Sequence, residues 1–213
     1  KGEEGLLDEL AARGCDPQVK VWNDPDVDWS EAGMVVVRSV SDYASDRPAF
    51  LEWTKQLSRV QNSADVLNWN TDKHYLKDLS ALGMPTIPTN WLEPEQNLSK
   101  HQIHTRFPAF GEFVVKPAVS SGVRDIGRYT TVDTRQRQAA MRQVQGLLGD
   151  GRSVMIQRYV EEIDLHGEIS LVFFNGLVSH AVEKRSALHP ASVSDPAVHE
   201  AVVTAEAADS VAW

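Results

Sequence analysis

Short apolar runs alternate with amphipathic stretches along the chain, and their periods predict its elements. Residues 3–13, EEGLLDELAAR, gather Leu6, Leu7, Leu10 and Ala11 on one helical face, and Gly14 is a natural stop. VKVW (19–22) reads as a strand. GMVVVRS (33–39) is a continuous apolar run ending in Arg38 and Ser39, the pattern of a parallel strand buried on both faces. Residues 46–60 predict a helix with Asp46 as cap and Phe50, Trp53, Leu57 and Val60 as its apolar stripe. Strand, helix, strand, helix is the order of an α/β sheet.

The polar stretch QNSADVLNWN (61–70) predicts a domain boundary. Residues 71–83 then read as a helix capped by Asn70 or Thr71, with Leu76, Leu79 and Leu82 inward and Gly83 as stop. MPTIPT is extended, because each proline biases its predecessor away from the helix. Residues 91–111 show no clear period. EFVVKPA (112–118), GRYTTV (127–132) and SVMIQRYV (153–160) read as strands, and residues 134–149 as a helix whose Ala140, Val144, Leu147 and Leu148 lie together. GEISLVFFNGLVSHAVEKR (167–185) predicts a hairpin about Asn175-Gly176, a pair suited to a type I′ turn.

Composition narrows the functions available. A chain of 213 residues is long enough for two lobes. Its 30 acids against 21 bases give a net charge of −9, which argues against a nucleic-acid partner gripped through its backbone. A nucleotide needs only a few local cations. Cys15 is the single cysteine, which leaves no disulfide framework and no cysteine zinc site. The seven histidines have no metal-binding spacing. Trp22, Trp29, Trp53, Trp69 and Trp91, five of the six tryptophans, have no basic stripe beside them and are expected to pack rather than stack on bases. No apolar run reaches the ~18 residues of a membrane helix, and the first residues lack a signal-peptide pattern. The expected setting is cytoplasmic, with no membrane partner.

The stretch FVVKPAVSSGVRDIGRY carries the candidate chemistry. An apolar strand delivers Lys116 to its end, and the small residues 118–122 follow. A lysine at a strand mouth suits phosphate oxygens, and a Ser-Ser-Gly loop offers N–H and hydroxyl donors without bulk. No GxxxxGK[ST] or GxGxxG motif is present. By itself this loop is equally a strand-end lysine and an ordinary turn.

The order of the parts says more. A helix opened by Asn70-Thr71-Asp72-Lys73, then VVKP with its loop, then QRYV, then the long hairpin resembles the ATP-grasp fold, an α/β architecture, over residues 19–185. VWNDPDVDW, VVVRSVSDY, NTDKHYLKDL and VVKPAVSSGVRD are similar to the branch that cyclises O-ureido-D-serine to D-cycloserine. The resemblance implies a substrate-side α/β lobe (1–66), a central ATP-grasp subdomain (67–160) and a C-terminal lobe (161–213). It implies ATP and Mg2+ as cofactors, an acyl-phosphate intermediate, a small amino-acid-like substrate, and a homo-oligomer, dimer or tetramer. Lys73 and Lys116 match the phosphate lysines, and Ser120, Ser121 and Gly122 the loop over the β- and γ-phosphates. Gln157, Arg158, Tyr159 and Val160 match the adenine hinge. Glu168 matches the ribose acid, with Glu161 and Glu162 as competitors. Lys184, Arg185 and Arg128 match cations facing the transferred phosphoryl group.

Ligand sites in open α/β sheets lie beyond strand carboxyl ends, which makes Arg38, Ser39, Asp42 and Tyr43 the candidate substrate residues. Arg38 would hold a carboxylate and Asp42 an amino group. The family's metal ligands, an acid followed by a Glu and an Asn, have no counterpart after Arg185, so the metal residues are unknown. The expectation is that segments of the protein lie outside this sequence; the competing reading is a nucleotide binder without its metal ligands. An intermolecular amino-acid or peptide ligase is the alternative activity.

Overall fold

A computed structural model describes residues 4–184, Leu188 and strand 200–203. The chain divides into two units, Lys1–Asp72 and Lys73–Trp213.

The first unit opens with α1 (Glu4–Ala12). Gly14 closes it at φ +82°, where a glycine is at ease, and Gly14 and Cys15 N–H donate back to Ala11 and Leu10 at 2.9 and 3.0 Å. Residues 19–22 form no strand, contrary to their pattern: Val19 and Val21 are exposed and Trp22 alone is buried. This segment is held by one anchored indole rather than by a ladder. The next apolar run supplies β1 (Val35–Val36), which pairs in parallel with β2 (Val60–Gln61) across α2 (Arg47–Gln56). Asp46 caps α2 by accepting from Ala49 N–H at 3.1 Å. Phe50, Trp53, Leu57, Leu67 and Trp22 make the core, with Val35 and Val37 packed against it.

The β1 run is not buried on both faces, since Met34 and Val36 are exposed. A two-stranded sheet meets the aromatic stripe of α2 on one face only. Residues 61–70 are also more ordered than their polarity predicts. They hold α3 (Ala64–Asn70), capped by Ser63, whose Oγ accepts from Val66 N–H at 3.3 Å. Asn70 and Thr71 therefore end α3 rather than cap the next helix. Trp69 on α3 is exposed.

In the second unit α4 spans only Tyr75–Ala81, and Leu82, past its last turn, is exposed rather than inward. The unassigned stretch contains β3 (Thr89–Leu92) and the short α5 (Lys100–His104), whose Ser99 and Gln102 form a capping box. Then come β4 (Glu112–Pro117), β5 (Gly127–Thr130), α6 (Thr134–Gly149) and β6 (Val154–Arg158). The four strands make an antiparallel sheet in the order β3-β6-β4-β5. After α7 (Glu162–His166), β7 (Glu168–Phe174) and β8 (Leu177–Lys184) form the expected hairpin, with Asn175 at φ +51° and Gly176 at +80°. The backbone of β9 (Glu200–Val203) adds to β8.

Side chains alternate across the four-stranded sheet. Phe113, Val115, Val154, Ile156 and Leu92 share one face and pack on Ile103, Phe107, Ala140, Val144 and Leu147 from the α5 and α6 side. The register puts Glu112, Val114 and Lys116 on the opposite face, with Arg128 across from Val114, Gln157 across from Val114 on the other side, and Met155 across from Lys116.

Candidate nucleotide and substrate sites

That second face carries four residues singled out by the sequence: Lys116, Arg128, Gln157 and Tyr159. It is buried, with Met155 at 0% and Gln157 at 5% exposure. Lys116 is half-buried at the end of β4. Burial pushes its pKa below the usual lysine range, opposed by the charge of Glu168. Glu168 opens β7 directly across from Lys184 on β8. Lys116, Glu168 and Lys184 thus gather at one place. Gly167 sets the entry to β7: its φ is +72°, and a Cβ there would lie 2.6 Å from the Lys184 carbonyl oxygen. Arg185 lies outside the described residues.

The loop after β4 is tied down at several points. Lys73 Nζ donates to Ser120 Oγ at 2.7 Å, to Ser120 O at 3.0 Å and to Ala118 O at 3.3 Å. Arg152 forms an ion pair with Asp125 at 2.7 Å and reaches Val119 O at 3.4 Å. Gln143 Nε2 donates to Asp125 O at 2.7 Å. Both ends of the Ser120-Ser121-Gly122 segment are held, while Gly122 at φ +61° is exposed. No hydrogen bond or ion pair among the described residues holds the Lys116 ammonium; Lys73 is engaged by the loop.

The positions of the residues expected to hold adenine follow from the ladder. Tyr159 N–H donates to Glu112 O at 2.9 Å, so Tyr159 faces β4 and the backbone of Arg158 faces the β3 side. Strand β3 starts at Thr89, opposite Gln157. The next residue on that side is Pro88, which has no N–H to give Arg158. The backbone of Arg158 therefore runs past the end of the β3 ladder. Gln157 Nε2 donates to Thr89 Oγ1 at 2.7 Å, fixing the strand there.

Arg128 sits on the same face in a dense set of partners. It pairs with the carboxylates of Glu112 and of Asp164, the latter at 2.8 Å, and lies 3.7 Å over the Tyr159 ring. Tyr159 OH donates to Asp164 Oδ1 at 2.5 Å. Burial opposes the Arg128 charge, yet the bonds to Glu112 and Asp164 raise its pKa further. This guanidinium ties Glu112, Asp164 and the Tyr159 ring together. Sequence reasoning missed Glu112, Asp164, Arg152 and Gln143. The alternation in EFVVKP placed Glu112 on the Lys116 face; the other three needed the fold.

In the first unit Arg38, Ser39 and Tyr43 line a cavity of about 250 Å³, together with Val37, Val40, Phe50, Leu67, Asn70 and Thr71. Asp42 does not line it; its carboxylate accepts from Trp22 Nε1 at 3.0 Å.

A half-buried strand-end lysine followed by a tethered small-residue loop is an arrangement that phosphate groups can use. A family model for the N-terminal domain of D-cycloserine synthetase DcsG matches residues 1–68. The cycloserine biosynthesis protein DcsG of Streptomyces lavendulae is 36% identical over 190 residues, 87% of this chain and 62% of that protein. The crystal structure of D-cycloserine synthetase DcsG aligns with 96% of this chain and 67% of its own, at 32% identity and a TM-score of 0.77. A RimK domain ATP-grasp protein from Sphaerobacter thermophilus shares the fold at 16% identity and a TM-score of 0.63, over 97% of this chain and 74% of its own. The chain belongs to the ATP-grasp superfamily and is related to its D-cycloserine synthetase branch. It spans less than two thirds of the length of the Streptomyces protein.

Proposed function

We propose that the chain forms the nucleotide- and substrate-binding part of an ATP-dependent carboxylate–amine ligase that closes O-ureido-D-serine to D-cycloserine. Lys116 carries this reading. A lysine whose charge is opposed by burial, with no hydrogen-bonding partner among the described residues, is suited to a phosphate oxygen that would restore its charge balance. ATP fits this face as substrate. Lys116 and Lys184 would neutralise the phosphoryl group, the tethered loop at 118–125 would exclude water from it, and the Arg158 and Val160 backbone would read the adenine edge. Lys73, through Ser120, would hold the loop in place. Glu168 would take the ribose hydroxyls. Arg128 would order the hinge through Tyr159 and Asp164.

The reaction is an acyl transfer. The substrate carboxylate takes the γ-phosphoryl group, the ureido nitrogen bonded to oxygen displaces phosphate as the ring closes, and the carbamoyl group on that nitrogen leaves by hydrolysis as carbon dioxide and ammonia. The residues contribute position and charge rather than covalent chemistry. Among the described residues no three His, Cys, Asp or Glu side chains gather as a cation site.

The test is ADP release with Mg-ATP and O-ureido-D-serine, with the products read by mass spectrometry. ADP with a cyclic product, and no second amine required, is the expected result. ADP only when a second amino acid is added would replace ring closure with intermolecular ligation. ATP binding without turnover on any substrate would leave a non-catalytic module.

A further inference from the structure

The cavity of the first unit has a lining that sets its chemistry. Arg38 is the one charged residue among the nine that line it, and no carboxylate does. Ser39 and Asn70 add polar groups, and Val40, Phe50 and Leu67 supply an apolar wall. Asn70 closes α3, and its carboxamide has no hydrogen-bond partner among the described residues. The α3 end is fixed from α2: Arg47 Nη2 donates to Asn68 O at 2.6 Å and Arg47 Nε to Thr71 Oγ1 at 2.9 Å. Thr71 in turn donates to Leu67 O at 2.7 Å, so its hydroxyl is spent on the wall. Across the cavity Ser39 sits at φ +53°, a backbone conformation that strains a residue with a side chain. Such strain is kept where a loop presents groups to a ligand. The volume, about 250 Å³, lies below the ~300–1,000 Å³ of pockets for drug-sized ligands and suits a molecule of amino-acid size.

We infer that this cavity binds the carboxylate and amide-like groups of a small ligand, with Arg38 on the carboxylate and Asn70 on an amide or ureido group. With no acid in the lining, the ligand's ammonium group is left outside. Val40, Phe50 and Leu67 limit the length of what enters. Asn70 is thereby a specificity-determining residue: its carboxamide NH2 donates and its Oδ1 accepts at two separate atoms of a ureido group, a two-point pairing that the single oxygen of a hydroxyl does not offer. The identity of the ligand as O-ureido-D-serine rests on the ligase reading; the cavity and its carboxylate end do not.

The experiment is calorimetric titration of the full chain, without nucleotide, using O-ureido-D-serine and D-serine as probes. Wild type is expected to prefer the ureido compound. Asn70→Leu is expected to weaken it by about tenfold or more, with little change for D-serine, and Arg38→Ala to weaken both by about tenfold or more, the scale of losing hydrogen bonds to a charged group. Both positions are exposed, and melting curves verify that the variants fold. Unchanged binding of both probes in both variants overturns the assignment, as does a wild type that binds neither. ATP titrated separately into the wild type tests the ligase reading on its own: if ATP fails to bind while the amino-acid titrations behave as stated, the ligase reading falls and the cavity stands.

Discussion

At Lys116 burial works against the ammonium and Glu168 works for it, and burial wins. The sign matters. A lysine whose folded pKa is depressed is penalised in the folded protein wherever it is charged. Stability therefore rises as pH climbs through the folded pKa toward the ordinary value of about 10.4. Phosphate binding runs the other way, because it needs the proton. ATP affinity is expected to fall on the alkaline side at a pH below the usual lysine range. Lys116→Arg, which keeps its charge past that range, is expected to move the fall upward. Affinity measured across the alkaline range checks this, and identical profiles for the two proteins would contradict it. Arg128 offers a contrasting test, since its partners are structural. Arg128→Met leaves Glu112 and Asp164 facing each other's charge and strips the Tyr159 ring of its cation. The expected loss is about 2–3 kcal/mol of stability, the scale of lost charged hydrogen bonds, read from denaturant unfolding. A variant as stable as wild type would show that the cluster contributes nothing.

Among the elements, the loop between β4 and β5 depends on residues far from it in sequence. Arg152, just past α6, grips Asp125 and Val119, and Gln143 on α6 grips Asp125 again. Arg152→Ala is expected to raise the KM for ATP about tenfold while changing kcat less, since one end of the loop is released and the cations remain. Steady-state kinetics separates this from a folding defect, and an unchanged KM would sink it. Elements with a strong local signal were legible in the sequence. Asp46 capped α2, Asn175-Gly176 turned the hairpin, and the α6 stripe buried Ala140, Val144 and Leu147. Elements whose existence depends on a partner were not. VKVW has the composition of a strand but no ladder to join. Residues 61–70 look like a linker, yet Ser63 and Arg47 secure a helix there. The candidate site divides the same way. Lys116 and its loop stand out because strand, lysine and small residues are contiguous, whereas Asp164 and Arg152 in the second unit and Asn70 in the first are polar residues in unremarkable surroundings until the fold gives each its neighbours.

For the whole molecule the net charge is −9. That surface does not draw in an anion, so in the proposed reading the phosphates depend on Lys116 and Lys184, and removal of either is not compensated from elsewhere. Lys116 is the residue proposed to hold a nucleotide phosphate. The most direct test of this role is calorimetric titration of ATP into the full chain and into Lys116→Ala. The expected result is saturable binding by wild type and a loss of about tenfold or more in the variant; equal affinity in the two proteins, or no binding by wild type, would contradict it.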